Sequence, residues 1–200
     1  MGQAPSDFPK PLPELRKPRN PLLRMLGQTY LRLAGWRVEG QFPVEPKCVL
    51  IVAHHTSNWD FMLGVAFLLA VDLRASWLGK HTIFKRPFEK FLRGIGGIPV
   101  NRSESQGLVG QCVKAFQDES ALCLGLSPEG TRKGQSRWKS GFYQIAVGAN
   151  VPIFPVAFDF GEHVLRLWPV FHPTGDMEAD LKTLQALYAP IQGCKTRPSG

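Results

Sequence analysis

The chain reads as a single α/β domain, with a mostly parallel central sheet flanked by helices and preceded by a Pro-rich arm and an amphipathic helix. Three observations carry this expectation. Two hundred residues suit one ordinary domain, able to bury roughly 70% of the surface its unfolded chain exposes. A 44% hydrophobic, 20% charged composition is that of a globular chain. Short apolar, β-branched runs also alternate with helical stretches along the sequence, the pattern of strand–crossover–strand units.

Taken in order, residues 1–21 carry Pro5, Pro9, Pro11, Pro13, Pro18 and Pro21 and predict an extended arm. Over 22–38, Leu22, Met25, Leu26, Tyr30, Leu33 and Trp36 recur at helical spacing, with Arg24, Arg32 and Arg37 between them. That is a basic amphipathic helix. It either docks its stripe on its own domain or lies on an anionic membrane. The domain proper spans 39–190. Strands are predicted at 49–52, 76–78, 98–100, 121–126, 153–158 and 164–168, and helices at 61–73, 87–93, 108–118, 141–149 and 180–188. A flexible tail over 191–200 closes the chain. In open parallel sheets, ligands bind beyond the carboxyl ends of the strands.

Several classes are disfavoured. The longest apolar run, 61–71, lies between Asp60 and Asp72 and is about half the length a membrane span needs. Cys48, Cys112, Cys123 and Cys194 form no CxxC pair, so no metal site is expected. Cys48 and Cys123 lie in apolar runs and read as core residues. The first 21 residues contain no apolar signal core, which predicts a reducing, cytoplasmic setting. The 24 Lys and Arg against 16 Asp and Glu give a net charge of +8, and such an excess calls for an acidic partner. Seven basic residues against one acidic fall within 74–102. An RNA-binding aromatic pattern, zinc knuckle or helix-turn-helix signature is missing, so nucleic acid is not the expected partner.

The chemistry concentrates just after predicted strands. His55 and Asp60 are five positions apart across a strand–helix turn. Folded back, Asp60 accepts from one imidazole nitrogen and leaves the other free as a base; the alternative is an Asp that only supports the helix start. Arg102 ends the segment Gly96-Gly97-Ile98-Pro99-Val100-Asn101-Arg102, where a guanidinium can hold a phosphate. Glu129, Gly130, Thr131 and Arg132 follow another strand. Lys80 follows a third and suits either an anion site or solvent. The stretch 125–130 lacks the second glycine of a nucleophile elbow, and Thr131-Arg132 replaces the Lys-Ser/Thr of a phosphate loop.

In this order, the blocks His55-Thr56-Ser57-Asn58-Trp59-Asp60, Gly97 to Arg102, Pro128-Glu129-Gly130-Thr131-Arg132 and Val151 to Val156 resemble the glycerolipid (lysophospholipid) acyltransferase family. The likeness covers about residues 36–170. It departs at His54, Pro99 and Ser127, positions that shape the pocket and leave the charged ones intact.

The resemblance implies transfer of a fatty acyl group from acyl-CoA or acyl carrier protein to a lysolipid hydroxyl, most simply lysophosphatidic acid to phosphatidic acid. No cofactor or metal beyond the donor co-substrate is implied. His55 is then the base and Asp60 its orienter, with Arg102 and Arg132 on a phosphate and Glu129 positioning the acceptor or bracing Arg132. Acylation of another lyso-lipid, such as an N-acyl amino acid lipid, and hydrolysis of the thioester are the rival reactions. The expected partners are the acceptor, the donor and an anionic membrane surface on which the protein sits peripherally.

Overall fold

The structure, a computed structural model, describes residues 8–17, 20–53, 58–100, 105–130 and 138–194. Seven strands form one sheet: β1 (Arg37–Gly40), β2 (Lys47–Val52), β3 (Ala75–Lys80), β4 (Gly97–Val100), β5 (Leu122–Leu126), β6 (Ile153–Asp159) and β7 (Val164–Leu167). Their order is β1-β7-β6-β2-β5-β3-β4, and every pairing is parallel except β6 with β7. The helices are α1 (Pro21–Leu33), α2 (Asn58–Val71), α3 (Glu89–Gly94), α4 (Ser105–Asp118), α5 (Gly141–Ala149) and α6 (Met177–Tyr188).

The pleat explains why the central strands read as unbroken apolar runs. Successive side chains point to opposite faces, and here both faces are covered. From β2, Cys48 and Leu50 enter one core with Leu63, Phe67 and Ala70 of α2. Val49 and Ile51 enter the other, with Phe116 of α4, Phe142 of α5 and Leu184 of α6. Cys48 and Cys123 face each other in register, both buried. Their mutual hydrogen bond and burial push the Cys48 thiol well up, which keeps it a protonated core residue.

The N-terminal region differs from the sequence reading. The arm is not simply extended: Pro13–Leu15 form a 3-10 turn that buries Leu15, and Arg16 makes a bridge with Leu73. Helix α1 starts on the Asn20 side chain, which accepts from the Leu22 N–H, with Pro21 at the first helical position, where a missing N–H costs nothing. It ends at Leu33, short of Trp36, and Arg37 opens strand β1, which the basic-aromatic spacing disguised as more helix.

Helix α1 docks on α2, but not by its apolar stripe. The contacting side is Gly27, Leu31, Arg24 and Gln28. A Cβ at Gly27 would lie 2.6 Å from the Ala66 carbonyl oxygen, Gln28 donates to the Ala70 carbonyl, and Arg24 pairs with buried Asp72 at 3.3 Å. Small and polar residues let the backbones approach. The stripe Leu22, Met25, Leu26, Tyr30 and Leu33 is left pointing outward.

Candidate active site

Strand register sets the site before any side chain is considered. Leu50 of β2 aligns with Gly125 of β5, Gly125 with Trp77 of β3, and Trp77 with Gly97 of β4. Counting along the parallel strands from that row, His55 lies five residues on, Glu129 four, Lys80 three and Arg102 five. All four motif-bearing segments therefore leave the sheet at one carboxyl edge and at one level. With neighbouring strands about 4.8 Å apart, β2 and β4 are separated by roughly 14 Å. The strands that precede the His and Arg102 segments thus stand at two ends of a row, with β5 and β3 between.

Asp60 lies in the first turn of α2 and is only 1% exposed. The partial positive charge of the helix N-terminus favours a carboxylate there. His55 itself, with His54, Thr56 and Ser57, lies outside the described residues.

The third block forms a tight turn. The Gly130 N–H donates to the Ser127 carbonyl at 3.1 Å, and the Lys139 N–H to the Pro128 carbonyl at 2.8 Å. That second bond brings Lys139 back to the turn. Glu129 sits on the turn, 3% exposed, so its carboxylate belongs to the interior of the site and not to its solvated rim. Gly130 has φ +63°, and a Cβ there would meet the Lys139 side-chain stem at 2.8 Å. The left-handed backbone is the stronger reason for glycine, since a lysine stem can move. Thr131, Arg132 and Arg102 lie outside the described residues; Lys80 is the last residue of β3.

The fourth block is strand β6, buried along its whole length and paired with β2. Two residues the motifs did not assign support it. The Tyr188 hydroxyl accepts from the Val156 N–H at 3.1 Å and lies 3.1 Å from the Ile51 carbonyl, bridging the ends of β6 and β2. Lys139 closes the Glu129 loop. Tyr188 was hidden because nothing in a lone aromatic on an amphipathic helix reports which strands its hydroxyl will reach. The Trp138-Lys139-Ser140-Gly141 stretch after the block was the available signal for Lys139.

Among the described residues, no three His, Cys, Asp or Glu side chains converge as metal ligands. A cavity of about 240 Å³ lined by Phe8, Arg16, Arg24 and Asp72 lies at the opposite end of α2 from Asp60 and is separate from this site.

An open, mostly parallel α/β protein with a buried acid at a strand–helix turn and a buried glutamate on the neighbouring strand's turn is the class that fold and site define. The Acyltransferase family model matches residues 35–159. The chain belongs to the acyltransferase family. It is 28% identical over 143 residues to the 1-acyl-sn-glycerol-3-phosphate acyltransferase of Haemophilus influenzae, covering 66% of this chain and 58% of that protein. It is also 28% identical over 167 residues to the enzyme of the same name from Escherichia coli, covering 76% and 66%. The chain thus spans less than two thirds of these relatives' length. A solved structure, the 1-acyl-sn-glycerophosphate (LPA) acyltransferase PlsC from Thermotoga maritima, superposes with a TM-score of 0.61 at 15% identity, over 88% of this chain and 80% of that one. That likeness shows the fold.

Proposed function

We propose that the protein transfers a fatty acyl group from acyl-CoA or acyl carrier protein to the free hydroxyl of a lysophospholipid, converting lysophosphatidic acid to phosphatidic acid. The observation that carries this reading is the common carboxyl edge of β2, β5, β3 and β4, the edge after which each charged block of the family pattern follows in the sequence.

In this mechanism His55 takes the proton of the acceptor hydroxyl as its oxygen attacks the thioester carbonyl. The new C–O bond forms, the C–S bond breaks, and the same proton passes from His55 to the departing thiolate. The products are an ester and a free thiol. Asp60 holds the imidazole in the tautomer that presents its basic nitrogen to the acceptor. Arg102, Arg132 and Lys80 face the acceptor or donor phosphates, and Glu129 with the Gly130 turn positions the polar end of the acceptor. No metal or bound cofactor enters any step.

A positioned base contributes about 10²–10⁴-fold, so His55→Ala loses activity by that factor with the fold unchanged. Wild-type turnover in a folded His55→Ala protein overturns the assignment. Arg102→Ala raises the acceptor KM, and unchanged KM and kcat remove the phosphate role from that block. Release of free thiol from acyl-CoA and from acyl carrier protein, with and without each of a panel of lysolipids, separates a transferase from a hydrolase. An N-acyl amino acid lipid in the panel separates the two acceptor classes.

The reading includes peripheral attachment to an anionic membrane through α1. The support is the outward stripe of that helix, where Leu33 is 85% exposed, together with exposed Arg32. Binding to anionic vesicles then weakens with salt and in Leu22→Ser/Leu26→Ser. Point substitution is the right probe, because removing residues 1–38 also removes Leu31 and Trp36 from the core.

A further inference from the structure

The connection between β3 and β4 carries a second outward apolar surface. It leaves β3 through a 3-10 turn, His81–Ile83, and returns along α3. Its inward residues Phe84, Leu92 and Ile95 form their own small core against Phe61 and Val65 of α2 and Trp77 of β3. That is enough to hold the segment in place. Its outward residues are not used in that core: Ile83 is 47% exposed, Phe88 65% and Phe91 52%. Phe88 and Phe91 are three residues apart, on the turn closed by the Leu92 N–H to Phe88 carbonyl bond, and so share one side of it.

The charge around these side chains has one sign. Lys85, Arg86, Lys90 and Arg93 are all exposed, and the single acidic residue of the segment, Glu89, is paired with Arg93 at 3.0 Å. Lys85, Arg86 and Lys90 have no carboxylate partner among the described residues. Aromatic side chains standing out among unpaired cations are the composition of an interfacial anchor. The segment also packs on the same α2 that α1 covers, α1 against Ala66 and Ala70 and the 81–95 core against Phe61 and Val65. On α2 itself, Trp59 and Met62 are exposed. The outward apolar residues of α1, α2 and the 81–95 segment thus stand on elements packed around one helix.

We propose that the 81–95 segment is a second membrane anchor, binding an anionic bilayer through Ile83, Phe88 and Phe91 with Lys85, Arg86 and Lys90 on the headgroups. It rests on the membrane-facing reading above and adds a specific consequence. The segment begins directly at Lys80, at the carboxyl edge of β3. Two anchors flanking α2 hold the row of motif segments at a fixed height over the lipid surface, where a lysolipid enters without crossing water. A flat bilayer engages the whole layer at once, whereas a small acidic protein would cover one anchor.

The test uses the full chain and vesicles of phosphatidylcholine with phosphatidylglycerol, beside pure phosphatidylcholine vesicles, in a sedimentation assay. Phe88→Ser/Phe91→Ser is expected to weaken binding to the anionic vesicles by about tenfold to a hundredfold, from the apolar burial two half-exposed rings provide. Lys85→Ala/Arg86→Ala is expected to weaken it about tenfold or more at low salt, and to have little effect in high salt. Turnover on a short-chain, monomeric lysolipid with acyl-CoA stays at the wild-type level, which shows the variant is folded. If Phe88→Ser/Phe91→Ser binds anionic vesicles as wild type does while Leu22→Ser/Leu26→Ser does not, the second anchor is wrong and α1 attachment stands. If instead the Phe variant leaves vesicle binding intact but raises the KM for acyl carrier protein, the surface is a protein-docking site and the proposal fails. Absence of thiol release with every lysolipid strikes the acyl-transfer reading alone, since vesicle binding is read without turnover.

Discussion

Tyr188→Phe isolates the hydroxyl that joins the last turn of α6 to the two strands behind the site. In the register of β2 with β6, Val52 faces Val156, and the direct rung at this level would run from the Val156 N–H to the Ile51 carbonyl. The Tyr188 hydroxyl adds to that rung, accepting from the Val156 N–H and lying 3.1 Å from the Ile51 oxygen and 3.2 Å from the Val156 oxygen. Burial pushes its phenol far above the ordinary range, so it stays neutral at any working pH. Its removal takes a buried hydrogen-bonding partner from both strands. An under-satisfied buried group costs about 1–3 kcal/mol, and the direct strand rung keeps part of that, so the loss comes to about 2 kcal/mol. For a chain of this size, roughly 2–4 °C is lost per kcal/mol, giving a fall in Tm of roughly 4–8 °C. Thermal unfolding followed by circular dichroism measures it, with Tyr30→Phe on the surface as control. Because β2 leads directly to the His55 segment, kcat should fall more than acceptor KM changes. A Tm within 2 °C of wild type, matching the control, refutes the idea that the hydroxyl is a structural bridge.

Three further outcomes follow from particular contacts. Gly27→Leu has no room against the Ala66 carbonyl, so α1 separates from α2; limited proteolysis should cut near residues 18–34 at least tenfold faster, and unchanged cleavage argues against close docking. The buried Asp180 carboxylate is pushed up by burial, but the Tyr143 hydroxyl at 2.7 Å and the Thr174 N–H and hydroxyl at 2.7 and 2.8 Å outweigh that and hold it below its ordinary value. The stability it confers is therefore complete above about pH 4 and is lost as pH falls through the lowered value. Asp180→Asn should flatten the acid limb of the urea midpoint against pH, and an unchanged slope between pH 5 and 2.5 contradicts this. Gly130→Ala forces a side chain into a left-handed backbone, costing about 1–2 kcal/mol; Thr131 and Arg132 follow it directly in the chain, so acceptor KM should rise together with a fall in Tm of roughly 2–8 °C, and an unchanged KM removes the turn from acceptor binding.

How much of this was legible in the sequence depends on the range of the interaction that decides each feature. The strands at 49–52, 121–126 and 153–158 were readable because both faces of each are buried, which writes continuous apolar runs into the sequence. The helix 141–149 was readable to the residue. The alternation of such runs with helices determined the mostly parallel sheet, and the short motifs determined which residues carry charge beyond the strand ends. Strand β1 was not legible. Its four residues Arg-Val-Glu-Gly have almost no apolar signal, and they become a strand only because β7 offers its free edge.

The same distinction separates the two halves of the site. Residue chemistry and local spacing singled out His55, Asp60, Glu129 and Arg102 as candidates, since residue type and spacing are local properties of short segments. That the strands leading to these segments share one carboxyl edge is a property of strand order. No spacing along the chain shows that β5 lies between β2 and β3, or that Leu50, Gly125, Trp77 and Gly97 share a level. The orientation of α1 was likewise set by tertiary structure alone. Its periodicity announced an apolar stripe, and the sequence determined that the stripe exists; Gly27, Arg24 and Gln28 decided that the opposite side docks. Close backbone approach and a buried ion pair with Asp72 hold the helix by its small and polar face. Helical periodicity cannot show that choice, because it reports which residues share a side and not which side meets the domain.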